Sequence, residues 1–250
     1  MNALNKYLNC SSSCKSWLAA LRHELKRKAN PEKAAILQRF FKTGPGEYAE
    51  NDIFLGIVVP EQRKIAKHYQ FLSRRDVLKL IRSKIHEERL IGLLILIRQY
   101  DGGDSHVRAG IFRDYLKHTE FINNWDLVDL SAPNIAGNFL FDRKNPVLLR
   151  RLARSKHLWD RRIAIISTFS FIRRGKFPET LRIAKLLLRD QHDLIHKAVG
   201  WMLREVGKRS LKTEEDFLRR YYRRMPRTML RYAIERFPET KRKLYLKGKI

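Results

Sequence analysis

The chain has 250 residues, 44% of them hydrophobic, with 53 Lys and Arg against 26 Asp and Glu, a formal net charge of +27. That is enough chain and enough apolar surface for a folded protein, and the positive excess runs along the whole length rather than sitting in a disordered tail. Such a balance points to a polyanionic partner, nucleic acid before an anionic membrane surface. The longest apolar run, "LIGLLILI" (Leu90 to Ile97), is too short to cross a bilayer, and the N-terminus has no apolar stretch of the secretory kind.

In chain order, Cys10 and Cys14 come first, in a Ser-rich segment with no neighbouring metal ligands, and read as free thiols in a reducing compartment. Residues 1–15 are expected as a flexible extension to a single domain spanning 1–250. Asn30-Pro31 is an N-cap followed by a first-turn proline, opening "PEKAAILQRFFK". Gly44-Pro45-Gly46 ends that helix and leads through a loop to "NDIFLGIVVPEQRK". Ser73 and Asp76 form a capping box with Asp for Glu and open "RRDVLKLIRSK". Period-two alternation is nearly absent, so the expected fold class is all-α.

The chain then repeats itself. "SKIHEERLIGLLIL" from Ser83, "SKHLWDRRIAIIST" from Ser155, "RDQHDLIHKAVGWML" from Arg189 and "RRMPRTMLRYAIERF" from Arg223 overlay, with Arg162, Lys197 and Arg231 matched at separations of 35 and 34 residues. Arg89 precedes Arg162 by 73 residues, about two repeats, and Trp125-Asp126 in the middle copy precedes Trp159-Asp160 by 34. Five copies of a two-helix unit predict a HEAT-like α-α superhelix, a solenoid whose second helices line a basic concave groove. Arg162, Lys197 and Arg231 near the starts of successive inner helices would form a ladder for DNA phosphates. Ordinary solvated charges on helix starts remain the plainer account of each one taken singly.

"NNWDLVDLSAP" (Asn123 to Pro133) breaks the ladder. Its overlay puts Val128 at the ladder place, with the acid Asp129 beside it and Trp125 one turn earlier. Lys197 and Trp201 share the same spacing. A carboxylate facing phosphates is unfavourable unless it has a task there. The alternative, Asp126 or Asp129 capping a helix with Trp125 and Trp201 in the core, stays open on these residues alone. "HDLIH" (His192 to His196) has the spacing of a zinc helix but no third ligand, so no metal is expected. No Gly-rich phosphate loop or nucleophile elbow is present.

"WDLVD", "LWDRRIAII" and "HKAVGWMLRE" together resemble the AlkD-type DNA alkylation repair glycosylases, a family of HEAT-like solenoids. The similarity runs from about Phe54 to "MPRTMLRYAIERF", while the segment before Phe54, with Phe40, Phe41 and Tyr48 as possible aromatic contacts, departs from the pattern. The resemblance implies excision of cationic N3- and N7-alkylated purines from double-stranded DNA, without base flipping and without a cofactor. It implies Asp129 as the catalytic carboxylate, Trp125 and Trp201 as aromatic walls against the lesion's deoxyribose, and Arg162 on a backbone phosphate. The expected protein is a cytoplasmic monomer, nucleoid-associated if bacterial, with no membrane partner. A non-catalytic nucleic-acid-binding repeat protein and a protein-interaction scaffold are the other two readings.

Overall fold

The computed structural model describes residues 16–250, so Cys10, Cys14 and the expected extension over 1–15 lie outside the described residues. The fold is all-α. Among the described residues the only strand-like pairing is an isolated parallel bridge between Ile53 and Ile85. The chain divides into two compact units at Gly102–Gly103.

The first unit holds α1 (Trp17–Lys28), α2 (Pro31–Phe40), α3 (Val59–His68), α4 (Arg74–Ile81) and α5 (His86–Gly102). Local signals start these helices as expected. Asn30 Oδ1 accepts the Lys33 amide at 2.9 Å ahead of Pro31 at the first helical position. The Ser73 hydroxyl accepts the Asp76 amide at 3.2 Å and donates to the Asp76 carboxylate at 2.9 Å. α5 is apolar nearly all round and packs against both α3 and α4. Its first turn nevertheless buries three charged residues in succession, and each has partners far away in sequence. Glu87 accepts the amides of Leu55, Gly56 and Ile57 at 2.9–3.3 Å. Glu88 pairs with Arg22 of α1 at 2.9 Å. Arg89 pairs with Asp52 at 2.5 Å and donates to the Ser83 carbonyl. A buried charge is tolerated only with such partners, so Arg89 is a staple for the loop before α3. Phe41 and Phe54 stack at 5.1 Å and both lie against His86, which leaves Phe40 exposed.

The second unit holds α6 (Ser105–Lys117), α7 (Trp125–Ser131), α8 (Asn138–Asp142), α9 (Val147–Leu152), α10 (Leu158–Ser167), α11 (Phe169–Arg173), α12 (Pro178–Leu186), α13 (Asp193–Gly207), α14 (Leu211–Tyr221), α15 (Arg227–Ala233) and α16 (Glu239–Leu246). A π-turn over Pro133–Gly137 joins α7 to α8 in one rod, and α10 runs into α11 through Thr168. The α7–α8 rod, the α10–α11 rod, α13 and α15 each pack on the next in a row, while α6, α9, α12 and α14 pack against that row. The core between them is aliphatic: Ile163, Ile166, Val199, Met202, Leu203 and Leu230 are buried. Each such side chain contributes about 1.5–3 kcal/mol by leaving water.

Candidate active site

The row helices α7, α10, α13 and α15 start at 125, 158, 193 and 227, intervals of 33, 35 and 34 residues. Arg162, Lys197 and Arg231 are therefore each the fifth residue of their helix, and the fifth residue of α7 is Asp129. This corrects the overlay that put Val128 there. Val128 is fully buried, and Trp159, which the overlay matched to Trp125, is a core residue at the second position of α10 while Trp125 is half-buried at the first of α7. The carboxylate thus replaces a cation in the ladder itself.

Equal height on neighbouring helices brings Asp129 and Arg162 together. Arg162 Nε and Nη2 donate to the two oxygens of Asp129 at 2.9 and 2.8 Å, and Nη1 donates to the Leu194 carbonyl of α13 at 2.5 Å. This fork-on-fork pair is the strongest geometry an arginine offers a carboxylate. The Arg162 side chain is only 6% exposed, whereas Asp129 keeps 18%. Each carboxylate oxygen has a lone pair beyond the one Arg162 uses, so the open edge of Asp129 can hold a water or a cation. Burial pushes the Asp129 carboxyl above its ordinary value, the Arg162 charge and hydrogen bonds pull the other way, and the charge of Asp126 adds to the rise.

The local sequence fixes that edge. Asn124 caps α7, its Oδ1 accepting the Trp125 amide at 2.8 Å, and the Asp126 carboxylate accepts the Leu127 amide at 2.8 Å. The helix-start task is thus shared by Asn124 and Asp126, and Asp129 has no part in it. Four residues after Asp129 comes Pro133, which lacks an amide and would clash with the Asp129 carbonyl in a regular α-helix. The π-turn that follows Ala132 absorbs this, with the Gly137 amide reaching back to the Ala132 carbonyl. From α6, the buried Tyr115 hydroxyl meets Ser131 at 3.0 Å, and Ser131 donates to the Leu127 carbonyl at 2.6 Å. Burial, then the charges of Asp129 and Asp160, hold the Tyr115 phenol well above its usual range, with the Ser131 hydrogen bond opposing, so it stays a neutral clamp.

The other expected site residues are placed as follows. Trp201 is half-buried on α13, one turn past Lys197, with its Nε1–H donating to Glu205 at 3.2 Å and its ring 6.0 Å from that of Phe169. Lys197 pairs with Asp193 at 2.7 Å, and Arg231 is exposed on α15. His192 Nδ1 accepts the Leu194 amide as the cap of α13, and His196 Nε2 lies 2.6 Å from the Asp190 carbonyl. Both histidines serve the helix start, and among the described residues no group of three His, Cys, Asp or Glu side chains could hold a metal ion. Tyr115, Ser131 and the Leu194 carbonyl have no signature in the sequence, since their roles arise only from contacts between helices.

Three comparisons bear on identity. The family model described as DNA alkylation repair enzyme matches residues 21–237. A solved structure titled "Predicted DNA alkylation repair enzyme from Enterococcus faecalis" shares 15% identity with this chain, covering 85% of it and 98% of that chain with a TM-score of 0.65, a likeness of fold. Among curated proteins none matches. With a match that runs through both units and across every helix that carries the candidate site, the chain belongs to the DNA alkylation repair enzyme family.

Proposed function

We propose that this chain is a DNA glycosylase that hydrolyses the N-glycosidic bond of cationic N3- or N7-alkylated purines in duplex DNA. Family membership supports a DNA repair role; the finer reading rests on one observation, a carboxylate at the ladder place of α7 with its charge anchored by Arg162 and its edge left open.

Cleavage passes through an oxocarbenium-like sugar, which usually needs a carboxylate and a proton donor. A base that already carries positive charge leaves without the donor, so Asp129 alone stabilises the sugar cation and orients the attacking water. Arg162 keeps Asp129 ionised and aimed; three of its five N–H donors are spent on Asp129 and Leu194, and the other two are what a backbone phosphate would use. Trp125 and Trp201 present indole faces that attract the developing cation. In this reading the row α7, α10, α13, α15 is the inner wall of a HEAT-like solenoid. The lesion stays in the duplex instead of entering a pocket, Lys197 and Arg231 follow the phosphates, and the protein works as a cytoplasmic monomer without a cofactor or a membrane. No helix among the described residues is long and apolar enough to cross one.

The test is single-turnover release of 3- or 7-methylpurine from methylated duplex. Asp129→Asn keeps the shape and removes the charge, and release should fall by orders of magnitude, as loss of one preorganised electrostatic group costs about 2.7–4 kcal/mol. Duplex binding should survive. Because Asp129 must be ionised and its pKa is raised, the rate should climb with pH through a limb lying above the ordinary aspartate range. Full activity in Asp129→Asn would move the site elsewhere. A second reading, a non-catalytic nucleic-acid binder, is favoured by the fork that occupies both Asp129 oxygens; wild-type protein that binds duplex yet releases no base would establish it.

A further inference from the structure

The far ends of α11 and α13 carry a cluster that the site above does not use. Arg173, Arg174 and Arg209 sit there as exposed cations, with Lys208 beside them. The Arg173 guanidinium lies over the Phe169 ring at 4.3 Å, and that of Arg174 over Phe141 at 4.5 Å. Stacking on a ring fixes the plane of a guanidinium while leaving its N–H edges outward. Arg174 Nη1 is further tied to Asn138 Oδ1 at 3.0 Å and to Ser170. Arg209 Nη1 donates to the Glu205 carbonyl at 3.3 Å.

The acids nearby do not balance these charges. Buried Glu205 accepts the indole N–H of Trp201 at 3.2 Å and takes Lys208 at 2.5 Å, with Arg209 at 3.7 Å and Arg204 at 4.0 Å. Glu235 is taken by Arg204. Among the described residues the Arg173 guanidinium makes no hydrogen bond or ion pair, only its contact with the Phe169 ring. Its pKa lies below the ordinary arginine value, first from burial and then from the charges of Arg209 and Arg174, with Glu205 opposing. An arginine stays charged at any working pH, so the lowered value reflects partial burial first and the crowding of like charges second. The negative ends of two helices ease the crowding, but they leave the five donors of Arg173 and the Nε and Nη2 edges of Arg174 and Arg209 unspent.

We propose that Arg173, Arg174 and Arg209 form a phosphate site that takes the backbone of a DNA strand. It deepens the reading that the row of helices meets DNA and rests on it. Along the α10–α11 rod, Arg173 lies eleven residues beyond Arg162, about 16 Å at the rise of a helix. The site therefore engages the strand well away from the reacting sugar and sets how the duplex lies on Asp129. Trp201 touches this cluster through Glu205, its indole hydrogen-bonded to the acid that also holds Lys208 and Arg209.

The experiment is the salt dependence of binding to an unmodified duplex, followed by fluorescence anisotropy, with thermal melting as the check on folding. Each phosphate neutralised contributes about 0.9 to the slope of log affinity against log salt. Arg173→Ala/Arg209→Ala should flatten the slope by roughly that amount, and Arg173→Lys, which keeps the charge, should retain most of it. Arg220→Ala, which removes one exposed charge from α14, should leave it unaltered. A double variant with the wild-type slope, or an Arg220→Ala loss of equal size, would overturn the proposal. Base release by wild-type protein separates the two readings: a lost slope without base release keeps the phosphate site and sinks the glycosylase, and release with an unchanged slope does the reverse.

Discussion

Glu214 holds its carboxyl in the interior of the second unit, 2% exposed, with Oε1 lacking a hydrogen-bond partner. It lies so close to Gly207 that a Cβ there would meet its Oε2 at 1.7 Å. Burial raises its pKa from 4.5 to about 8, the Glu215 charge adds to the rise, and Arg204 only partly offsets it. The folded protein therefore carries Glu214 protonated at neutral pH, while the unfolded chain ionises it near 4.5. The sign follows from linkage: its contribution to stability is complete below about 4.5 and is lost as pH rises through about 8. The loss is on the order of a few kcal/mol. Urea unfolding at pH 5 and pH 8 should show wild type weakening more across that interval than Glu214→Gln, whose amide cannot ionise. Equal losses in the two proteins would mean that the carboxyl is already charged in the fold.

At the scale of elements, the α7–α8 rod touches the α10–α11 rod backbone to backbone. A Cβ on Gly137 would lie 2.3 Å from the Ser167 carbonyl oxygen, which cannot move aside as a side-chain tip can. Gly137→Ala should cost about 1–3 kcal/mol. It should also slow base release, because the displaced rod carries Asp129 and its partner rod carries Arg162. Gly102→Ala is the contrast: nothing lies within 4 Å of its Cβ, it is helical, and the change should be neutral or stabilising by up to about 1 kcal/mol. Urea midpoints for both variants check this, and two similar midpoints would mean that the rods have slack. The same elements show what the sequence could convey. Caps at Asn30 and Ser73 and the spacing of apolar residues are local, so they can be read from the letters. Matching Trp125-Asp126 to Trp159-Asp160 shifted the register by one, because those letters sit at different heights in their helices; aligning the caps Asn124 and His157 gives the observed interval. The burial of Glu87, Glu88 and Arg89 was not legible, since their partners Leu55, Arg22 and Asp52 lie 32, 66 and 37 residues away. The Asp129–Arg162 fork, 33 residues apart, was missed for the same reason.

For the whole molecule, the governing quantity is the net charge of +27. Many of the 26 acids are already spent within the fold: Glu87 and Glu88 on α5, Glu179 on Arg150 and Arg182, Asp190 on Arg161 and Glu205 on its cations. These pairs remove cations as well as acids, so the formal excess is little changed by them and most of it is left without an acidic partner. A surface of that kind attracts a polyanion from a distance and releases counterions when it binds, so affinity for duplex DNA should fall linearly in log units with log salt. Between 50 and 200 mM salt, a footprint of 6–10 phosphates would lose about 10³–10⁵ in affinity. A protein-interaction scaffold built from the same helices would instead hold its partner through apolar contacts that salt barely weakens. Titrating labelled duplex at several salt concentrations decides between them, and a single-stranded oligonucleotide of equal length gives a second reading, since single strands carry a shallower slope per phosphate. A flat response across that range would remove nucleic acid as the partner, and with it the reason for a row of cations around Asp129.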